Sequence, residues 1–386
     1  MKAALAGALA LAAAIGIGRF AFTALLPATQ LGLRFDDATA GAIASANLVG
    51  YLLGAIAGRA VAAARVRPLA VRAALVAVVA STALLAVTTS WWGWSALRFV
   101  AGAAGGVVFV AVSAAALEPR AGEAPRPGVL YSGVGVGMAI TGATAAIVPV
   151  SSWRAGWLVV AAIAAALSVL PWVAIAAPPP RAGRHPPADA PAPAVLASTA
   201  PQPFSLGRLA LAYFLEAVGY IVSGTFTVLA VRRTPGLAQL APWAWTLAGL
   251  AAAPSALLWS ALGRRAGLRA ALVTAHLAQA GGMALPALSP SALAAAVGAL
   301  FFGGTFMGIA TLTMSAARAI APRDLARTVG SLTAVYGVGQ IAGPALAGVI
   351  SHRSGSPGPA VLAAAAAVAL GGAVLVPRRG PRGSDG

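Results

Sequence analysis

The chain has 386 residues, 60% of them hydrophobic and only 9% charged, with a mean hydropathy of +0.87. A water-soluble globule carries about a quarter charged residues, so this composition excludes one and points to repeated membrane spans. The absence of cysteine excludes disulfides, thiolate chemistry and Cys-ligated metals, while the net charge of +18 is explained below by its distribution over the loops.

The N-terminus MKAALAGALALAAAIGIG has the charge and apolar run of a signal peptide. The run continues through Arg19 to Pro27 without a cleavage site, so it is expected to stay as one continuous first helix over 4–28. In lipid every backbone amide must be paired within its own segment, so the apolar stretches are helices. The short segments of alternating polarity that build a β-barrel are not visible. Cutting at charges, prolines and polar clusters places further spans at 39–58, 69–90, 94–117, 128–149 and 155–176. Residues 177–204, APPPRAGRHPPADAPAPAVLASTAPQPF, are too Pro-rich and irregular to pack and form a connector. Six more spans follow at 207–231, 241–262, 270–288, 291–315, 328–350 and 359–376.

The two sets of six resemble one another. Phe22-Thr23 pairs with Phe226-Thr227, and GVG at 133–135 with GVG at 337–339, both at an offset of 204. The expected fold is therefore an all-α membrane protein with twelve transmembrane helices in two six-helix pseudo-repeats, the major facilitator architecture. Its predicted parts are a bundle over 1–176, a cytoplasmic linker over 177–206, a second bundle over 207–376 and a cytoplasmic tail over 377–386. With the N-terminus inside, 19 of the 26 cations fall in inner segments and five in outer ones. This is the positive-inside bias of a multi-pass protein of the bacterial inner membrane with both termini cytoplasmic. It accounts for the charge without a nucleic-acid partner.

Several segments carry a family resemblance. GIGRFAFTALLPATQ (16–30), ASANLVGYLLGA (44–55), YSGVGVGMAITG (131–142), YFLEAVGYIVSGTF (213–226) and GSLTAVYGVGQIAGPALAG (330–348) resemble the YbfB/YjiJ-type branch of the major facilitator superfamily. The resemblance implies a transporter and leaves its solute open. The superfamily's loop pattern G-x-x-x-D-x-x-G-R after span two is only partly kept. AIAGRAVAAARVRP (55–68) has the basic residues without the Asp. Glu118, at the inner end of span four, is expected to supply that cytoplasmic gate by pairing with Arg59 or Arg65.

Three ionisable residues lie within spans: Arg19, Arg98 and Glu216. A charge at the bilayer centre costs at least about 2.5–3.5 kcal/mol, so each needs a reason to be there. Arg19 can present a planar fork to an anionic group, or it can bind carbonyls structurally. Arg98 has the same two readings, and snorkelling towards the interface is open to it as well. Glu216 can carry a proton, because a carboxyl at low dielectric readily exchanges one, or it can clamp neighbouring helices through Tyr213 or Tyr220. Thr23, Asn47, Tyr131, Tyr220, Thr227, Tyr336 and Gln340 are the candidate neutral cavity residues, each equally able to make an ordinary interhelical hydrogen bond. His276 and Gln279 share a face of the ninth span and are expected to serve packing. The glycines of the fifth and eleventh spans are expected to let helices approach closely.

The reading that follows is a monomeric secondary active transporter, not an enzyme, that moves a small organic solute, anionic or zwitterionic, by proton-coupled alternating access. Broad-specificity drug or metabolite efflux is the alternative, with a non-transporting sensor or scaffold behind it. No cofactor is expected. No metal site is expected either, since His185, His276 and His352 share no helical turn.

Overall fold

The computed structural model describes residues 2–62, 66–117, 127–174, 205–321, 325–356 and 358–376. All regular structure among them is helical. Helices α1 (Lys2–Leu11) and α2 (Ala21–Leu33), joined by a π-helical stretch at Ala12–Ile17, form the first span. The rest of the first half is α3 (Asp37–Ala62), α4 (Arg67–Leu84), α5 (Trp91–Leu117), α6 (Pro127–Ile147) and α7 (Trp153–Ala174). The second half is α8 (Leu206–Arg233), α9 (Ala241–Ala266), α10 (Leu268–Leu288), α11 (Ala292–Ile320), α12 (Leu325–Ser354) and α13 (Gly358–Val374). Among the described residues eleven spans are long and apolar enough to cross a membrane, and α13 is a shorter apolar helix of 17 residues. Together they match the twelve predicted spans. Ser205, at the end of the predicted linker, caps α8 by accepting from the Arg208 amide at 3.4 Å. The rest of the linker beyond residue 176 and the tail from 377 lie outside the described residues.

The first span differs from its expected continuous helix. Its apolar run is unbroken, yet α1 gives way to the π-helical stretch and then to a turn at 18–20. The cause is crowding and capture. A Cβ on Gly16 would lie 2.5 Å from Gly137 Cα on α6, so the chain passes there backbone to backbone. The carbonyls of Gly18 and Arg19, released by the break, are taken by the Arg98 guanidinium of α5.

Lipid tails are as apolar as leucine, so these helices associate through close packing rather than hydrophobic expulsion. Gly54 of α3 sits so near α5 that a Cβ would fall 1.9 Å from the Ala103 carbonyl oxygen. A Cβ on Gly133 of α6 would likewise fall 1.8 Å from the Ala8 carbonyl oxygen of α1, the close approach expected of the fifth-span glycines. Trp94, fully buried, gathers Phe22, Phe35, Trp153 and Trp157 around it at centroid distances of 5.2–6.4 Å. Trp157 Nε1 donates to Thr29 Oγ1 at 3.0 Å, which pins the far end of the first span to α7.

The halves meet chiefly along α2 with α8, α6 with α9, and α3 with α12, and α6 also touches α11. The first span lies innermost. In its most apolar stretch 94% of residues are buried, against 33–61% for the other spans. Arg19, at the bend of this span, is reached by aromatic rings from both halves.

Candidate functional site

Arg19 sits in the turn between the π-helical stretch and α2, which frees it from a regular helical direction. Its guanidinium carbon lies 5.2 Å from the Phe20 ring centroid, 5.4 Å from Tyr51 of α3 and 5.9 Å from Tyr220 of α8. One face thus belongs to the first half and another to the second. Its Nε and Nη2 are buried and have no hydrogen-bond partner.

The aromatic residues extend outward from this cation on both sides. In the first half Tyr51 meets Phe109 of α5 at 6.1 Å, and Phe109 stacks on Tyr131 of α6 at 5.9 Å. In the second half Tyr220 lies nearly parallel to Phe306 of α11 at 5.1 Å and stacks with Tyr336 of α12 at 6.0 Å. Trp245 of α9 and Phe20 close the group at 5.8 Å.

Arg98 is buried as predicted, but it is turned to the backbone. Its Nη1 donates to the Gly18 carbonyl at 2.5 Å and its Nη2 to the Arg19 carbonyl at 2.8 Å. Asn47 of α3 in turn donates from Nδ2 to the Arg98 carbonyl at 2.7 Å. One expected cavity residue, Arg98, therefore holds the backbone that carries Arg19, and another, Asn47, holds Arg98's own.

Glu216 of α8 is fully buried and is bonded from α10. Its Oε1 accepts from Gln279 Nε2 at 3.2 Å. Tyr336 also stacks on Tyr213 at 4.2 Å. Through Tyr336 and Tyr220 the carboxyl and the cation share one aromatic group without forming an ion pair.

Residues 11–376 match the family described as the uncharacterised MFS-type transporter YbfB. The chain belongs to that family. No curated protein matches it in sequence. Among solved structures the nucleoside transporter NupG superposes with a TM-score of 0.70 at 15% identity, over 97% of this chain and 98% of that one. A bacterial homologue of the human lysosomal transporter Spinster gives 0.67 at 16%, over 96% and 93%. The human organic anion transporter MFSD10 gives 0.64 at 16%, over 97% and 99%. Identities this low speak for the fold alone, which is that of major facilitator transporters.

The remaining predicted residues of this YbfB-type protein fall in different places. Thr23 donates to the Gly224 carbonyl at 2.6 Å, a bond from one half to the other. Tyr131 reaches Ser113 Oγ at 3.4 Å. Gln340 is buried one turn beyond Tyr336. Arg59 is exposed in the last turn of α3. Glu118 and Arg65 lie outside the described residues, as does the Thr227 side chain. Tyr51 and Gln279 were not among the predicted site residues. Tyr51 stands inside the quoted segment ASANLVGYLLGA, and it was the one residue there able to face a cation with a ring. The expectation of plain packing for Gln279 is corrected by its bond to Glu216.

Proposed function

We propose that this YbfB-type protein is a proton-coupled secondary transporter of a small organic anion or zwitterion, working by alternating access. One observation carries the reading: the Arg19 guanidinium lies between the halves with two N–H donors unused. A buried charge that lacks a counter-charge is costly. Cation–π contacts return only about 0.5–2 kcal/mol each and use none of the N–H groups. A carboxylate or phosphate entering beside Arg19 would satisfy both donors in bidentate fashion. Because Tyr51 and Tyr220 come from opposite halves, such a ligand would touch both at once, as alternating access requires.

The aromatic faces around the cation suit a solute with a flat apolar body. They also favour the second reading, loosely specific efflux. The charge bias of the protein's loops supports the further proposal that it lies in the bacterial inner membrane with cytoplasmic termini.

A ligand-stabilisation screen of the purified protein across organic anions, cations and neutral metabolites tests the solute class. Anions should raise the unfolding temperature of the wild type, Arg19→Lys should respond weakly, and Arg19→Gln should not respond. Stabilisation mainly by cations, equal in Arg19→Gln, would point to efflux of another class and overturn the anion reading. In proteoliposomes, Glu216→Gln should keep solute exchange but lose accumulation driven by a pH gradient.

A further inference from the structure

Glu216 and Gln279 are both fully buried, on α8 and α10 of the same half. Their single bond runs from Gln279 Nε2 to Glu216 Oε1. It leaves two atoms over, Glu216 Oε2 and Gln279 Oε1, each buried and without a hydrogen-bond partner. An ionised carboxylate oxygen and an amide oxygen are both acceptors only, so neither can satisfy the other. One proton on Oε2 satisfies both at once.

We propose that Glu216 is protonated in this conformation and that Gln279 is the positioning residue that holds the proton. The Oε2–H then donates to Gln279 Oε1 while Gln279 Nε2 donates to Glu216 Oε1. The result is a closed acid–amide pair that joins α8 to α10. Loss of the proton to water opens one arm and leaves two acceptors facing each other in low dielectric, which is unfavourable. The coupling proton therefore governs how tightly α10 grips α8. This rests on the reading of Glu216 as the proton carrier and adds the partner that makes carriage conditional on helix packing.

The titratable side chains around the pair are three tyrosines and one histidine, whose buried Nε2 has no hydrogen-bond partner. They are Tyr213 and Tyr220 on α8, Tyr336 on α12 and His276 on α10. His276 is held through Nδ1 by the Leu272 carbonyl at 2.8 Å and packs against Gly371 and Gly372 of α13. Helices α2 and α13 contain no charged residue, and the arginines of α9, α10 and α11 stand near helix ends.

Infrared difference spectroscopy of the full-length protein in lipid, titrated with acid and base, tests the pair. The wild type should show a carboxylic-acid C=O band that Glu216→Gln lacks. In Gln279→Met, which keeps length but offers no hydrogen bond, that band should move to higher frequency, as for an acid freed of its acceptor. If Gln279→Met fails to fold, Gln279→Glu serves instead, and a second acid band titrating with the first is expected. A wild type without a Glu216-dependent acid band overturns the proposal. So does a band that neither Gln279 variant moves, and so does replacement of the band by stabilisation with sodium, which would put a metal cation between the two oxygens. Failure of the transport reading shows separately, as Glu216→Gln protein that still concentrates solute against a gradient.

Discussion

Arg98 shows how a buried charge can serve a site without touching its ligand. Its two bonds to the Gly18 and Arg19 carbonyls hold the turn from which Arg19 projects, and Asn47 holds Arg98's own backbone. Lysine keeps the charge but has no planar fork, so it cannot hold both carbonyls in the same way. Arg98→Lys should therefore lower the apparent affinity for solute while Arg19 is intact. Arg98→Ala, which leaves buried carbonyls unpaired, should cost about 1–3 kcal/mol in stability. Equal solute affinity in Arg98→Lys and wild type, measured by ligand-induced stabilisation, would free Arg98 from this role. That Arg19, Arg98 and Glu216 would be special was legible from the sequence, because charge in a span is rare and expensive. Which of them would bind backbone was not. The carbonyls that Arg98 holds exist as acceptors only because the helix breaks, and hydropathy is blind to that break. Gln279 was missed for a related reason. A lone amide on a span thought to be peripheral acquires meaning only from the residue opposite it.

The helices were legible in number and approximate extent, since each needs about twenty apolar residues and each boundary is marked by charge or proline. Their distances of approach were legible only as an abundance of glycine. Gly133→Ala would put a methyl group 1.8 Å from the Ala8 carbonyl oxygen, so α1 and α6 must separate. The expected loss is about 1–3 kcal/mol, the usual scale of overpacking. Gly281→Ala on α10 meets nothing within 4 Å and should leave the unfolding temperature unchanged or raised. Similar shifts for the two substitutions would show that glycine contacts do not set the packing. At the start of α3 the Asp36 carboxylate accepts from the Thr39 amide at 2.7 Å. Hydrogen bonds from Thr39, side chain first and then backbone, hold its pKa below the ordinary 3.8. A depressed folded-state value means the cap contributes fully above the unfolded carboxylate's value and is lost as pH falls through the lower, folded one. Asp36→Ala should thus be less stable than wild type at neutral pH, by about 0.5–2 kcal/mol for a lost cap. The gap should close only below pH 3.8. A gap that persists unchanged in acid would show that the carboxylate is not the capping group.

At the scale of the whole molecule, the repeat and the loop charges made the architecture legible, because duplication and positive-inside bias act over the full chain and survive weak local signals. The seam between the halves was not legible, since it depends on which faces of several different helices turn inward. Thr23 marks that seam. Its hydroxyl donates to the Gly224 carbonyl across the two halves at 2.6 Å. If transport requires the halves to part there, a covalent bond at this point must stop it. The chain contains no cysteine, so Thr23→Cys with Gly224→Cys introduces a single pair. A Cβ at Gly224 meets only Phe302 at 3.5 Å and Tyr220 at 3.8 Å, which is ordinary contact, so the side chain fits. Oxidation, or a short bifunctional thiol reagent where disulfide geometry is not met, should abolish flux in proteoliposomes. Reduction of the disulfide should restore it, and either single variant should be unaffected. Solute binding measured by stabilisation should survive cross-linking, because Arg19 and its aromatic neighbours are left in place. Undiminished flux in fully cross-linked protein would mean that the two halves do not separate at Thr23 during the cycle.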